Sequence, residues 1–158
     1  MDIVYLTRNR LVEIENELMA LKSSGRKQMA EKIAEARSHG DLSENAEYDA
    51  AKEAQSHLEL KIGKLETMLS RVKIISPDEM PNDEVYILSV VKVRDIKLKE
   101  EYTYTLVSPE EADFELDKIS VTSPIGKALL GKKKNETVEI TVPAGVIKYK
   151  VIEISKLD

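Results

Sequence analysis

The stretch Arg37-Ser38-His39-Gly40-Asp41-Leu42-Ser43-Glu44-Asn45-Ala46-Glu47-Tyr48 separates two long runs of helical periodicity, and its reading decides the fold. Gly40 suits the left-handed residue that closes a helix, and Asp41 or Ser43 suits the N-cap that opens the next. Upstream, Leu11, Ile14, Leu18 and Leu21 recur at spacings of three and four, which is one apolar seam on a helix. Met29, Ile33 and Ala36 continue a helical period but stand one residue out of step with that seam. The spacing therefore predicts a local phase slip across Ser23-Ser24-Gly25. Downstream, Leu58, Ile62, Leu65, Leu69 and Val72 make a second seam. Two seams around one break predict an antiparallel helical hairpin, an arm of roughly 40 Å at 1.5 Å per residue. Ala30, Ala34, Ala36, Ala46, Ala50, Ala51 and Ala54 keep its distal end slender, so the tip can enter a narrow channel.

Beyond the second seam, Ile75-Ser76-Pro77-Asp78-Glu79-Met80-Pro81-Asn82-Asp83 ends the helical pattern with two prolines among acids. It divides the chain into an N-terminal hairpin, residues 1–76, and a C-terminal domain, residues 77–158. In the second part Val85 to Val93 and Tyr102 to Val107 are rich in β-branched and aromatic residues, and Val138, Ile140 and Val142 alternate along Thr137 to Val142. Val142-Pro143-Ala144-Gly145-Val146 reads as the turn of a hairpin running on into Ile147 to Ile154. One short helix is expected, with Ser123 as N-cap, Pro124 at its first position and Gly131 just past its end. The fold class is α+β: a helical hairpin followed by antiparallel strands with one short helix.

Composition narrows the function. The 158 residues carry 24 Lys and Arg against 29 Asp and Glu, a net charge of -5, so the molecule as a whole repels free duplex DNA. With no cysteine there are no disulfides, thiolate metal sites or Cys nucleophile, and the cytoplasm is the expected compartment. No apolar run approaches the roughly 18 residues of a membrane span. Aromatic residues make up 4%, with no Trp and the single Phe114, which is poor material for a small-molecule pocket.

Chemistry concentrates in the break between the seams. Asp41 and Glu44 are three apart, the spacing of a capping box, with acids where a helix dipole favours them. A cap does not account for the further polar density of Arg37, His39, Asn45, Glu47, Tyr48 and Lys52 at the end of an exposed arm. If the two carboxylates are chemical, Mg²⁺ is the natural partner, and the tip has to complete a site in another protein, because phosphodiester chemistry needs more carboxylates in a sheltered cavity. Arg37 and Lys52 are either RNA-phosphate contacts or solvated charges. His39 and His57 are 18 apart with no metal-ligand pattern around them and read as surface residues. Lys132-Lys133-Lys134 complements the end of the short helix, with a phosphate or nucleic-acid contact as the other reading. Ser123-Pro124-Ile125 is first a helix start, and an exposed Ile125 beside a rigid Pro124 also suits protein docking.

The stretch Gly40-Asp41-Leu42-Ser43-Glu44-Asn45-Ala46-Glu47-Tyr48 with Ala50-Ala51-Lys52-Glu53, the block from Ser120 to Gly131 and Thr141-Val142-Pro143-Ala144-Gly145 together resemble the GreA/GreB family of bacterial transcript cleavage factors, nearer its GreA branch. The resemblance covers essentially the whole chain. It implies an N-terminal coiled coil that enters the secondary channel of RNA polymerase, and an FKBP-like C-terminal domain that docks on the channel rim. It implies that Asp41 and Glu44 hold a Mg²⁺ shared with the polymerase and orient the attacking water, so that the polymerase's own site cleaves backtracked nascent RNA. By the same resemblance Arg37 and Lys52 touch the RNA 3′ end, and Ser123, Pro124 and Ile125 dock on the polymerase. Asn9-Arg10, where relatives more often have a Gly, and the more basic Lys132-Lys133-Lys134-Asn135 depart from the family pattern without touching the acidic pair.

Two other functions stand beside transcript cleavage. A channel-occupying inhibitor is expected where the tip acids are altered, and here Asp41 and Glu44 are intact. A prolyl isomerase follows from FKBP-like topology alone, but its aromatic-lined pocket has little to draw on in Phe114, Tyr86, Tyr102, Tyr104 and Tyr149. A hairpin buries its own apolar stripe, so a monomer is expected.

Overall fold

The computed structural model describes residues 2–40 and 45–157. The chain packs as two compact units, Arg10–Ser70 and a second made of Met1–Asn9 with Arg71–Asp158.

The first unit is the helical hairpin. Its ascending arm is α1 (Arg8–Ala20), a π-helical turn (Leu21–Gly25) and α2 (Arg26–Arg37); α3 (Ala46–Leu69) returns. The expected phase slip is this π turn. A π turn carries one residue more than an α turn, so it absorbs a one-residue displacement of the seam without ending the helix. Ile14, Ile33 and Ala36 on the ascending arm and Ala51, Ile62 and Met68 on α3 are buried. The widened turn disturbs the local hydrogen-bond ladder, and two serines compensate: Ser23 Oγ donates to the Met19 carbonyl at 2.8 Å and Ser24 Oγ to that of Ala20 at 3.0 Å. Ion pairs cross between the arms, Glu17–Lys61 at 3.0 Å, Lys22–Glu66 at 3.4 Å and Arg26–Glu59 at 2.9 Å. All are exposed, so they fix register more than they add stability. Val72, the last member of the second seam, lies beyond α3 in a strand.

The second unit is built on a five-stranded sheet of order β5-β4-β3-β7-β6, with β3 at Ser89–Asp95, β4 at Glu100–Val107, β5 at Lys118–Ser120, β6 at Thr137–Val142 and β7 at Gly145–Lys156. The β3–β4, β3–β7 and β6–β7 ladders are antiparallel, whereas β4 and β5 run parallel. The short helix α4 (Pro124–Leu129) follows β5, and the core gathers Val85, Val91, Val93, Leu106, Leu129, Val138, Ile140, Tyr149 and Val151.

Two features of this unit were absent from the sequence reading. A second, parallel pair joins β1 (Val4–Leu6) to β2 (Val72–Ile74), so residues on either side of the hairpin are ladder partners. The apolar run expected as strand from Val85 enters the ladder only at Ser89; Val85 and Leu88 are buried from a loop in which Leu88 has φ 71°. Gly126 on α4 lies so close to β5 that a Cβ there would stand 2.0 Å from the Ser120 carbonyl oxygen, and only glycine fits.

Candidate functional site

The tip of the hairpin is assembled by backbone ends. At the close of α2 the amides of Ser38, His39 and Gly40 donate to the carbonyls of Ala34, Ala36 and Arg37 at 3.2, 3.2 and 3.4 Å. Gly40 then turns the chain at φ 111°, a conformation that favours glycine, as its place in the sequence suggested.

The N-cap of α3 is Asn45, not Asp41 or Ser43. Its Oδ1 accepts from the Tyr48 amide at 3.1 Å, and its Nδ2 donates to the Ala36 carbonyl at 2.7 Å. One side-chain amide thus satisfies an orphan donor at the start of α3 and gives the Ala36 carbonyl near the end of α2 a second donor beside the His39 amide. A carboxylate could perform only the first task, because it has no donor at neutral pH. The signal was legible: Asn directly before the helical run at Ala46 is a preferred cap.

Around this clasp the Arg37 guanidinium lies 5.9 Å from the centroid of the Tyr48 ring, and His39 Nε2 is 3.2 Å from Glu47 Oε2. Tyr48 and Lys52 are four apart on α3 and therefore share a face, so Arg37 and Lys52 stand on the same side of the tip. Lys52 Nζ donates to Gln55 Oε1 at 3.0 Å, and both cations are exposed. Asp41 and Glu44, the expected catalytic and metal-holding pair, lie outside the described residues. Among the described residues no three His, Asp or Glu side chains gather as a metal site.

In the sheet unit, Ser123 caps α4 by accepting from the Gly126 amide at 3.1 Å while donating to the Ser120 carbonyl at 2.6 Å. Pro124 follows and is exposed, but Ile125 is half-buried against the core rather than presented to solvent, because the first turn of α4 packs on the sheet. Lys132-Lys133-Lys134 belongs to a loop that pairs with residues 83–85: Lys132 O accepts from the Val85 amide at 2.8 Å and Lys133 Nζ lies 3.9 Å from Asp83. His57 sits on α3 beside Glu53 at 3.6 Å, an exposed surface pair. No helix among the described residues is long and apolar enough to cross a membrane.

Comparison with known proteins gives this arrangement its family. Residues 4–74 match the family model "Transcription elongation factor, N-terminal", and residues 80–156 match "Transcription elongation factor, GreA/GreB, C-term". The chain is 53% identical over 155 residues to transcription elongation factor GreA of Chlorobium phaeobacteroides strain BS1, with 97% of each chain covered. It is 53% identical over 154 residues to transcription elongation factor GreA of Chlorobaculum parvum, again with 97% of each covered. Among solved structures, GreA factor homolog 1 of Thermus thermophilus is 27% identical, covering 98% of this chain and 99% of its own, with a TM-score of 0.45. Two family matches that together span nearly the whole chain, and relatives of this identity, leave one assignment: the chain belongs to the GreA/GreB family of transcription elongation factors.

Proposed function

We propose that this elongation factor stimulates RNA polymerase to cleave its own backtracked transcript, by inserting the hairpin tip into the polymerase's secondary channel. The observation that carries the reading is the Asn45 clasp. The cap of α3 is supplied by Asn45, so the structural task that the spacing of Asp41 and Glu44 suggested is already filled. Two carboxylates in a four-residue span at the end of an arm are then best explained by chemistry. Arg37 and Lys52, on one side of the same tip, supply positive charge for the phosphates of the extruded RNA 3′ end.

Asp41 and Glu44 would hold a Mg²⁺ jointly with carboxylates of the polymerase, a donor set that suits an ion taking one or two protein carboxylates and filling its other positions with water and phosphate oxygens. Such an ion activates water for attack on a phosphodiester. The chain's own part is positional: the clasp holds the ends of α2 and α3 together, the two carboxylates orient the water and the two cations steady the RNA. The bond is broken at the polymerase's site, so the factor itself is not an enzyme. The sheet unit docks on the polymerase through the corner at Ser123, Pro124 and Ile125. The expected compartment is the cytoplasm.

The test is Mg²⁺-dependent cleavage of nascent RNA in purified stalled elongation complexes, with wild type, Asp41→Ala and Glu44→Ala at saturating factor. Release of short 3′ fragments by the wild type, with both variants binding but inactive and RNA intact when polymerase is omitted, is the expected result. Equal cleavage by the variants would overturn the chemical role of the acids.

A further inference from the structure

Phe114, the only phenylalanine in the chain, is 94% exposed, and Leu116 two residues later is 62% exposed. Large apolar side chains displayed together on a surface mark interaction sites more often than scattered single ones do. They stand on a 3₁₀ turn, Phe114–Leu116, that is fastened on every side. The Asp113 carboxylate accepts from the Glu115 amide at 3.0 Å, and the Asp113 and Lys118 backbones exchange bonds at 2.9 and 3.0 Å. Asp117, at φ 54°, gives its carbonyl to the Thr105 amide on β4 at 3.0 Å. An aromatic held out on a rigid turn loses little conformational freedom when it is buried by a partner.

Two further observations define the partner. Asp113, Glu115 and Asp117 stand exposed around the apolar pair with no Lys or Arg among residues 109–117, while Glu110 pairs with Arg71 and Glu111 is buried, so the complementary surface is basic. The outer side of the edge strand β5 is already used: Lys118 bonds to Asp113, and the Ser120 carbonyl accepts from Ser123. Recognition therefore runs through side chains rather than by addition of a strand. The Ser123–Pro124 corner leaves the other end of the same three-residue strand, roughly 10 Å away along it, which makes the two features parts of one edge.

We propose that Phe114 and Leu116 are the apolar anchor with which the sheet unit docks on RNA polymerase, inserting into an apolar notch rimmed by Lys and Arg. The proposal rests on the polymerase reading above and adds to the corner at Ser123, Pro124 and Ile125 the exposed residues that carry most of its affinity.

The experiment measures binding of the full-length factor to stalled elongation complexes, at two salt concentrations, for wild type, Phe114→Ala, Glu115→Lys and Asp41→Ala, with sedimentation of the free proteins alongside. Phe114→Ala is expected to weaken binding on the order of tenfold, as for loss of a central aromatic anchor. It should raise the half-maximal factor concentration for cleavage equally and leave the rate at saturation unchanged. Glu115→Lys should weaken binding and reduce its salt sensitivity. Binding of Phe114→Ala within about twofold of wild type would overturn the proposal. So would a wild-type dimer that Phe114→Ala dissociates, since the occupant would then be a second copy. Asp41→Ala separates the two readings, because it should bind as wild type does and fail only in cleavage. If wild type itself ignores the polymerase, both readings fall.

Discussion

Asn45 serves two helices with one amide, and its two roles can be separated by substitution. Asn45→Ala removes both the cap and the bond to Ala36, and is expected to cost about 2 kcal/mol, roughly 1 for each. Asn45→Asp keeps a good cap but sets a carboxylate against the Ala36 carbonyl, so it should recover the cap energy and not the clasp. Urea unfolding of the three proteins measures the split. A second residue-scale prediction concerns pH. The Tyr102 hydroxyl donates to Glu100 at 2.6 Å, and this bond to a carboxylate, helped by burial, pushes the phenol up to about 12 from 10.0. A group whose folded pKa is raised adds stability that is fully present below the unfolded value, so this contribution holds up to about pH 10 and is lost as pH rises through about 12. Tyr102→Phe should remove one late step from the near-ultraviolet titration of the tyrosines and flatten the alkaline loss of stability. Tyr104, raised chiefly by burial, should remain as a later step.

At the scale of elements, the π turn is the device that makes one continuous arm out of two seams in different phase. Deleting Ser24 would remove the extra residue, close Leu21–Gly25 to ordinary α geometry and bring Met29, Ile33 and Ala36 into step with Leu11, Ile14, Leu18 and Leu21, so that they stay on the α3 face. The deletion is therefore expected to keep Ile33 and Ala36 buried and to leave the loss of helical circular dichroism on heating within a few degrees of wild type, and a large early loss would show that the turn does more than absorb the displaced residue. That slip was legible because heptad arithmetic exposes a one-residue error wherever the seam is long enough. The long strands and α4 were legible for similar reasons, since alternation and caps are local signals. The pair β1–β2 and the direction of β5 were not. Each of those strands has three residues, too few for a period to emerge, and parallel pairing depends on partners far away in the chain.

For the molecule as a whole, the placement of the candidate site was legible in part, and the chemistry expected of Asp41 and Glu44 lies outside the described residues. Arg37, Lys52 and the Ser123 cap stand where spacing and capping rules put them, while the capping task moved from Asp41 to Asn45 because an amide can bridge two helices and a carboxylate cannot. Ile125 turned inward and Phe114 outward, a distinction that hydropathy alone does not carry, since both are apolar residues next to turns. The β1–β2 ladder has a consequence for how such a chain can change over generations. Val4 to Leu6 pair with Val72 to Ile74, so everything between them is a closed excursion from one host sheet. Its length, tip and surface charge can be rewritten without moving a single strand register of the host, provided each change to the two arms is matched. The part that would do chemistry and the part that would find the partner are thus free to diverge at different rates within one chain.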